Sequence, residues 1–325
     1  MNGHQNAIGG KKQLNKFTNN HFVITGGNGF LGKHVVEELK QIGVFSKNIK
    51  VISSNTSDLR NIDNVRKILK ENDIVIHLAA KVGGLAVNIN KQADFFYENA
   101  IMAMNMIKVG NEVGIKKFVG IGSIWEYPDK LAIPFKETSL WDGYPAEITA
   151  PYGLAKKVML MMSQFYKDQY NLNCIHLLLT NLYGPGDDFN PSSSHVIPSL
   201  IYKIDKARSL KKTIIDVWGD GSASRELLYV KDAAEAIILA TKFYDNKSPL
   251  NIGSGHRITI KDLVFSIIDL MNFRGEVKWD ITKVVGQKFN QFDVSLAKEK
   301  INFEAKTSLI NGLNDTIYWY MQSKK

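Results

Sequence analysis

The stretch HFVITGGNGFLGKHVVEELKQ, residues 21–41, decides the fold of this chain. Residues 22–25 form a short apolar run that ends at Gly26, which is typical of a buried strand. Gly26, Gly29 and Gly32 form a G-x-x-G-x-x-G turn, and the residues after it have the apolar spacing of a helix. Such a turn lets the backbone approach a pyrophosphate at the start of the helix. The stretch therefore predicts a dinucleotide-binding unit; the alternative is a glycine-rich turn without a ligand.

Strand and helix signals alternate for about 160 residues from this unit onward. The predicted strands are Ile49–Ile52, Ile74–Leu78, Phe118–Ile121 and Cys174–Leu179. The predicted helices are Gly32–Gln41, Phe96–Val113 and Tyr152–Tyr170. This alternation indicates an α/β protein with a Rossmann-type doubly wound parallel sheet.

After residue 185 the predicted elements become shorter. They are Ile214–Trp218, Leu227–Val230, Ala233–Tyr244, Leu250–Ile252 and Ile260–Met271. We therefore expect a flexible polar extension over residues 1–20 and a Rossmann domain over 21–185. A smaller C-terminal substrate lobe over 186–325 is expected to interleave with the last strands of the sheet.

Composition and charge narrow the class of protein. In the 325 residues, hydrophobic types make up 44% and charged types 22%, which excludes a mostly disordered chain. No apolar run is long enough to span a membrane, and the single cysteine, Cys174, excludes an internal disulfide. The net charge of +9 is spread along the chain, so a small phosphorylated ligand explains it as well as a nucleic acid would. We expect a cytoplasmic protein without a membrane, nucleic-acid or metal partner.

The end of the second predicted strand bears on the choice of dinucleotide. An NAD site usually places Asp or Glu here, but residues 51–59, VISSNTSDL, have Ser53 and Ser54 instead. Two hydroxyls can hydrogen-bond a 2′-phosphate that no carboxylate repels, which favours NADP(H), although no arginine lies in this stretch. Asp58 is expected to meet the adenine. The predicted cofactor-binding residues are Gly26, Asn28, Gly29, Phe30, Leu31, Gly32, Ser53, Ser54, Asp58, Leu59, Ala79, Ala80, Tyr152 and Lys156.

Tyr152 and Lys156 are four residues apart at the start of a predicted helix, so they share one face. We expect the lysine ammonium to lower the pKa of the phenol from about 10, so that it exchanges a proton near neutral pH. Lys156 can also hold the nicotinamide ribose. Ser123 follows a predicted strand and is placed to hydrogen-bond the same substrate oxygen. The three residues predict proton transfer to a carbonyl or hydroxyl group.

Longer motifs follow one another in a recognisable order: TGGNGFLG, HLAAKVGG, GSIWEYP, PYGLAKK, TNLYGPGDDF, SHVIP, VWGDGSASRELLYVKD and NIGSG. Over about residues 21–322 the chain resembles the extended short-chain dehydrogenase/reductase family, and within it the GDP-L-fucose synthases, which are epimerase/reductases. The resemblance implies that Ser123, Tyr152 and Lys156 are a reductase triad. Hydride then passes from NADPH to carbon 4 of the sugar while Tyr152 protonates the oxygen. A homodimer through the two long predicted helices is also implied.

The resemblance further implies a GDP-linked 4-keto-6-deoxy sugar as substrate, either a deoxyhexose or a deoxyheptose. Trp218 and Arg225 match a segment that grips the nucleotide diphosphate, and arginine is a bidentate phosphate donor. The other substrate-binding residues implied are Lys81, Asn88, Trp125, Asn181, His195 and Lys203.

One motif departs from the family pattern. Fucose synthases epimerise carbons 3 and 5 with a cysteine and a histidine as acid and base, and His195 matches the histidine. The cysteine of G-S-x-C-x-Y-P is replaced by Trp125, which cannot transfer the proton. Cys174 lies inside a predicted strand, and Glu126 would point away from residue 125 if the segment stayed strand-like.

We therefore expect a 4-reductase with little epimerisation. One alternative is a bifunctional epimerase/reductase in which another residue, such as Glu126, replaces the cysteine. The other alternative is an inactive regulatory subunit that binds nucleotide sugars.

Overall fold

The structure is a computed structural model that describes residues 17–83, 90–191, 193–282 and 289–324. In chain order the strands are β1 (Phe22–Thr25), β2 (Ile49–Ile52), β3 (Ile74–His77), β4 (Lys117–Ser123), β5 (Cys174–Leu179), β6 (Asn181–Tyr183), β7 (Ile214–Trp218), β8 (Ser224–Tyr229), β9 (Leu250–Ile252), β10 (Arg257–Thr259) and β11 (Glu276–Asp280). The helices are α1 (Phe30–Gln41), α2 (Ile62–Ile68), α3 (Gln92–Val113), α4 (Ala150–Tyr170), α5 (Val196–Ser209), α6 (Val230–Phe243), α7 (Ile260–Leu270), α8 (Ser295–Ile301) and α9 (Leu309–Ser323).

A six-stranded parallel sheet carries the fold, in the order β2-β1-β3-β4-β5-β9. Alternate side chains of a strand point to opposite faces. Phe22 and Ile24 of β1 therefore join the core on the side of α1 and α6, while Val23 packs on the other side with Met106 of α3 and Met159 of α4. Helices on both faces confirm the predicted doubly wound Rossmann-type sheet.

The strands match their predicted bounds better than the helices do. β2, β5, β7 and β9 have the predicted limits, whereas α1, α3, α4 and α6 each begin two to four residues earlier than predicted. The first turn of α3 is exposed at residues 92–94, and Pro151 occupies the first turn of α4. Apolar spacing does not reveal such turns, because they bury little surface and proline is tolerated there.

Most of the chain after residue 185 forms a second body beside the one built on the large sheet. This second body contains two small sheets, in the orders β10-β8-β6 and β11-β7. Helices α5, α7 and α9 pack around a separate core that includes Ile204, Leu263 and Leu313. Each of the two bodies contains a strand from the other side of residue 185. β6 precedes that point but pairs with β8, whereas β9 follows it and pairs with β5 of the large sheet.

Phe17 differs from the expectation of a flexible N-terminal extension. It is buried, and its ring meets that of Phe22 edge-on at 5.4 Å between centroids. Burying this aromatic ring against β1 fixes residues 17–20 to the sheet; residues 1–16 lie outside the described part of the chain. Within the described ranges, no helix has both the length and the apolar character that crossing a membrane requires.

Candidate active site

The glycine turn between β1 and α1 excludes side chains. A Cβ on Gly32 would lie 2.2 Å from the carbonyl oxygen of Gly26, and one on Gly26 would lie 2.9 Å from the amide nitrogen of Ala79. Gly29 caps α1 without a side-chain hydrogen bond, and the first helical turn carries no acidic residue. The positive end of the helix therefore meets no competing carboxylate, and this backbone cradle fits a pyrophosphate. Asn28, Phe30 and Leu31 lie in the same turn or in the first residues of α1.

A buried hydrogen-bond chain holds the loop after β3 against this turn. The hydroxyl of Thr25 lies 2.8 Å from Nδ1 of His77 and accepts the amide of Ala79 at 3.2 Å. Burial, together with the charge of Lys156, lowers the pKa of His77 to about 3, so the ring is neutral. Ala79 and Ala80 are consequently held half-buried at the edge of the cradle, where they were predicted.

The segment after β2 carries a charged network. Arg60 bonds both carboxylate oxygens of Asp58 at 2.9 to 3.2 Å and Glu98 at 3.0 Å, and Glu98 also pairs with Lys81. The hydrogen bonds from Arg60 lower the pKa of Asp58. The prediction did not include Arg60, which lies one residue beyond the stretch searched for an arginine. Lys81, which was predicted to lie near the nicotinamide and the sugar, pairs with Glu98.

Four other predicted residues belong to the cofactor and sugar regions. Ser53 forms a tight turn with Thr56, whose hydroxyl accepts the Ser53 amide at 3.0 Å, and Ser54 is exposed at its tip. The side chain of Leu59 is buried in the core between the sheet and α3. Asn88 lies outside the described residues.

The Tyr-x-x-x-Lys pair and Ser123 converge where β4 meets α4. Ser123 is the last residue of β4 and is buried, as is Lys156, whose Nζ lies 5.6 Å from the ring centroid of Tyr152. A Cβ on Gly153 would lie 2.2 Å from the carbonyl oxygen of Trp125. This close approach presses the helix that carries Tyr152 against the turn that follows Ser123.

The expected direction of the Tyr152 pKa is wrong for the protein alone. Burial raises the pKa of this phenol, and the charge of Glu126 raises it further. Burial also lowers the pKa of Lys156 to about 8. Desolvation of the phenolate therefore outweighs the attraction of the lysine, and Tyr152 is a neutral phenol. A neutral phenol is the form that gives a proton to a carbonyl oxygen.

The segment after Ser123 is a 3₁₀ turn, Ile124–Glu126, and not a continued strand. Glu126 is fully buried; it accepts the amide of Ser123 at 2.8 Å and lies 3.1 Å from Nε2 of His176. The indole of Trp125 is half-buried and packs against the core around Ile124. The carboxylate of Glu126 is therefore held inside the protein, in contact with the Ser123 amide and His176.

His195 lies at the N-cap of α5, and its side chain is 58% exposed. Its Nδ1 is 3.8 Å from Oδ1 of Asp187, and this buried carboxylate raises the pKa of the imidazole. Asp187 was not among the predicted residues. The DD pair of TNLYGPGDDF, directly after a strand, is the signal that points to it.

The predicted diphosphate residues fall into two groups on the second body. Lys203 lies 5.9 Å from the ring centroid of Trp218 and donates to the carbonyl oxygen of Asp216, and half of the Trp218 surface is exposed. Arg225 donates only to the carbonyl oxygen of Ser224, and no carboxylate of the described residues pairs with it. Burial lowers the pKa of this guanidinium to about 10, as expected for a cation that lacks an anionic partner.

Asn181 lies beside the Arg225 group. Its side-chain amide donates to the carbonyl oxygen of Glu226 at 3.0 Å, on the strand that carries Arg225. The described residues contain no cluster of His, Cys, Asp or Glu that could hold a metal ion.

Comparison with known proteins found similar sequences and similar folds over most of this chain. Residues 22–253 match the NAD dependent epimerase/dehydratase family. A probable GDP-L-fucose synthase of Oryza sativa subsp. japonica is 33% identical over 304 residues, which cover 92% of each chain. A GDP-6-OMe-4-keto-L-xylo-heptose reductase from C. jejuni superposes with a TM-score of 0.87 at 26% identity, over 94% of this chain and 99% of that one. A GDP-mannoheptose C4 reductase from Campylobacter jejuni with NADP bound gives 0.83 at 26%, over 94% and 99%.

Proposed function

Because this chain belongs to the NAD dependent epimerase/dehydratase family, we propose that it is an NADPH-dependent reductase of carbon 4 in a GDP-linked 4-keto-6-deoxy sugar. The observation that carries the proposal is the packing of Lys156 against the Tyr152 ring, on a helix that Gly153 lets approach the turn after Ser123. The glycine turn after β1, which admits no side chain, supports it. GDP-sugar synthases and reductases among its relatives support the substrate class.

In the reaction, bound NADPH supplies the hydride that reduces the 4-keto carbon. Tyr152, held as a neutral phenol, gives its proton to the carbonyl oxygen, so that ketone, hydride and proton together yield the alcohol. Lys156 lies against the same ring and stabilises the phenolate that remains. Ser123 donates a hydrogen bond to the same oxygen and orients it.

Recognition of the nucleotide falls to the second body. Arg225 is half-buried and has no carboxylate partner among the described residues, which suits a diphosphate. Lys203 and the exposed face of Trp218 add a second cation and a stacking surface. The Ser53–Ser54 turn favours NADPH over NADH, and the NADP-bound heptose reductase is consistent with that preference.

Reduction without epimerisation is the finer part of the proposal. Trp125 stands where a second acid–base group is needed, and the nearby carboxylate of Glu126 is engaged with Ser123 and His176. A lone His195 removes a proton from one face of the sugar and returns it to the same face. The bifunctional epimerase/reductase remains the second candidate, because Asp187 raises the pKa of His195 as an acid–base group requires.

One experiment separates these functions. The protein, NADPH and a GDP-linked 4-keto-6-deoxy sugar are incubated in deuterated water, and the product is examined by NMR. NADPH oxidation without deuterium at carbons 3 and 5 is the expected result. Deuterium at those carbons of an inverted product would show epimerase activity, and absence of NADPH oxidation across deoxyhexose and deoxyheptose substrates would favour a binding subunit.

We also propose a homodimer formed through α3 and α4. These helices pack on each other and expose large apolar side chains on their outer faces, among them Tyr97, Met104 and Phe165. Burying such a patch against a second copy is a common basis of dimerisation. Sedimentation of the wild type against Phe165→Glu would test this, with a monomeric variant as the expected result.

A further inference from the structure

A buried ion pair lies directly behind Ser123, and the proposed reaction does not use it. Glu126 is 0% exposed and His176 1% exposed, and Nε2 of His176 is 3.1 Å from both carboxylate oxygens of Glu126. The same carboxylate accepts the backbone amide of Ser123 at 2.8 Å, while the Ser123 hydroxyl accepts the amide of Trp125. Glu126 thus closes a capping box around the catalytic serine.

The packing around this pair leaves it no room to move. A Cβ on Gly122 would lie 2.3 Å from Oε1 of Glu126 and 2.3 Å from Nε2 of His176. On the other side of the turn, Gly153 lets α4 approach the Trp125 carbonyl to a distance that no side chain would allow. The pair is therefore clamped between β4, β5 and the helix that carries Tyr152 and Lys156.

One ring nitrogen of the pair makes no hydrogen bond. Nδ1 of His176 is buried and has no partner among the described residues. The contacts of Nε2 with the two carboxylate oxygens of Glu126 therefore hold the imidazole in place. Glu126 is the group of the pair whose negative charge reaches the tyrosine and the lysine of α4.

This charge acts on the groups packed around it. From α4 these are Tyr152, Lys156 and Lys157, from β5 His176, and from its own turn Tyr127. It raises the pKa of Tyr152 and counteracts the burial that lowers the pKa of Lys156. The direction favours a neutral phenol beside a charged lysine, which is the state that reduction needs.

We propose that Glu126, held by His176, is a positioning residue of the reductase site: it fixes the Ser123 turn and keeps a buried negative charge beside Tyr152 and Lys156. The inference rests on the proposed function for the reaction that this arrangement serves. The placement of the pair itself is independent of the sugar.

The decisive variant is Glu126→Gln, which keeps an oxygen acceptor for the Ser123 amide but removes the charge. The pKa of Lys156 should fall by about one unit from its value near 8. It is measured by NMR titration of the full chain with carbon-13-labelled lysine, the Lys156 signal being assigned from Lys156→Met. The high-pH limb of kcat for NADPH oxidation should move to lower pH by a similar amount, with KM for the sugar unchanged.

Asp232→Asn is the matched control. Asp232 is also a buried carboxylate, and it accepts backbone amides from Lys306 and Thr307 far from the catalytic residues. Its amide variant should lose thermal stability and leave both the Lys156 titration and the kcat profile unchanged. A Glu126→Gln protein that melts lower but titrates and turns over like the wild type would overturn the proposal and make the pair purely structural.

A second variant keeps the test open if Glu126→Gln does not fold. The double substitution Glu126→Leu with His176→Phe replaces the pair by apolar side chains, an exchange that buried ion pairs often tolerate. It should show the same fall in the Lys156 pKa and a lower kcat; an unshifted titration would overturn the proposal. If Lys156 shifts while no GDP-sugar is reduced even by the wild type, the proposed function fails and the role of Glu126 stands.

Discussion

On the sheet side of the candidate site, Ser123 and Lys156 are buried, whereas on the lobe side Trp218 is 50% exposed and the His195 side chain is 58% exposed. The sheet-side groups are also braced by Glu126, while Arg225 on the lobe side has no carboxylate partner within the described residues. A braced, desolvated set of groups suits a chemical step, and an unpaired cation beside an exposed aromatic ring suits the capture of an anion. Changes on the sheet side should therefore lower kcat, and changes on the lobe side should raise KM.

The largest effect expected is that of Tyr152→Phe, which removes the proton but keeps the ring. We expect kcat for NADPH oxidation with the GDP-sugar to fall by about 10²- to 10⁴-fold, as for the loss of a general acid. NADPH binding, followed by fluorescence titration, should be retained. Tyr170→Phe, an exposed position on the same helix, is the control. Near wild-type turnover in Tyr152→Phe would contradict the assignment of the chemical step to the sheet side.

On the lobe side, Arg225→Met should raise KM for the GDP-sugar by about ten- to a hundred-fold, the size of a charged hydrogen-bond contribution. The kcat at saturation should change much less. Arg208→Met, at an exposed position on α5, removes the same charge and should leave KM unchanged. Steady-state kinetics over sugar concentration measure both, and a fall in kcat alone would contradict the assignment of Arg225.

The cofactor turn lies outside both sides and should affect neither kcat nor KM for the sugar. Ser54→Asp places a carboxylate near the expected 2′-phosphate, so the affinity for NADPH should fall by about ten-fold or more while that for NADH is kept. Ser46→Asp adds the same charge before β2, at the opposite end of that strand, and serves as the control. Equal affinities of the wild type for both cofactors would refute the NADP preference.

Asp187→Asn tests the contact between Asp187 and His195 on the lobe side. Asp187 raises the pKa of His195, so the amide variant should bring that pKa down. The protonated fraction of His195 near pH 6.5 therefore decreases in the variant. Histidine NMR titration, with His195 assigned from His195→Gln, measures the shift. An unchanged titration would mean that the 3.8 Å contact has no electrostatic effect.

The smallest effect is expected for Trp125→Cys. This variant restores a thiol where the family pattern has one, and His195 already lies next to the carboxylate of Asp187. Deuterium from the solvent should then enter carbon 3 or carbon 5 measurably, but more slowly than carbon 4 is reduced. Trp125→Ser, which opens similar space without a comparable acid, is the control. Equal deuterium in both variants would show that space, and not the thiol, is what the pocket lacks.

Strong, continuous signals in the sequence predicted the frame of the fold. Apolar runs such as those of β1 and β5 matched the observed strands, because strands buried on both faces need no alternation. The three-residue strands β6 and β10 are partly exposed and gave no such signal, whereas β9, which is equally short, is fully buried and was predicted. The lobe was therefore anticipated as a change of pattern, but its sheets were not.

In the candidate site, too, the sequence revealed some features and missed others. Glycine spacing and the Tyr-x-x-x-Lys pair are local, so the sequence revealed them. The contacts of Arg60 with Glu98 and of Glu126 with His176 join residues 38 and 50 positions apart, and only the folded chain brings them together. A histidine within the apolar strand CIHLLL was the one local hint of a buried polar partner.

The exchange of segments between the two bodies limits how this enzyme can be altered. A fragment that ended at residue 185 would lack α6, β9 and α8, all of which pack on the large sheet or its helices, and would leave β6 without its partner β8. Recombination between relatives therefore cannot exchange the C-terminal lobe as one intact segment. We therefore expect new sugar specificities to arise by point substitutions on a shared frame, and we propose that the tryptophan at position 125 is a substitution of that kind.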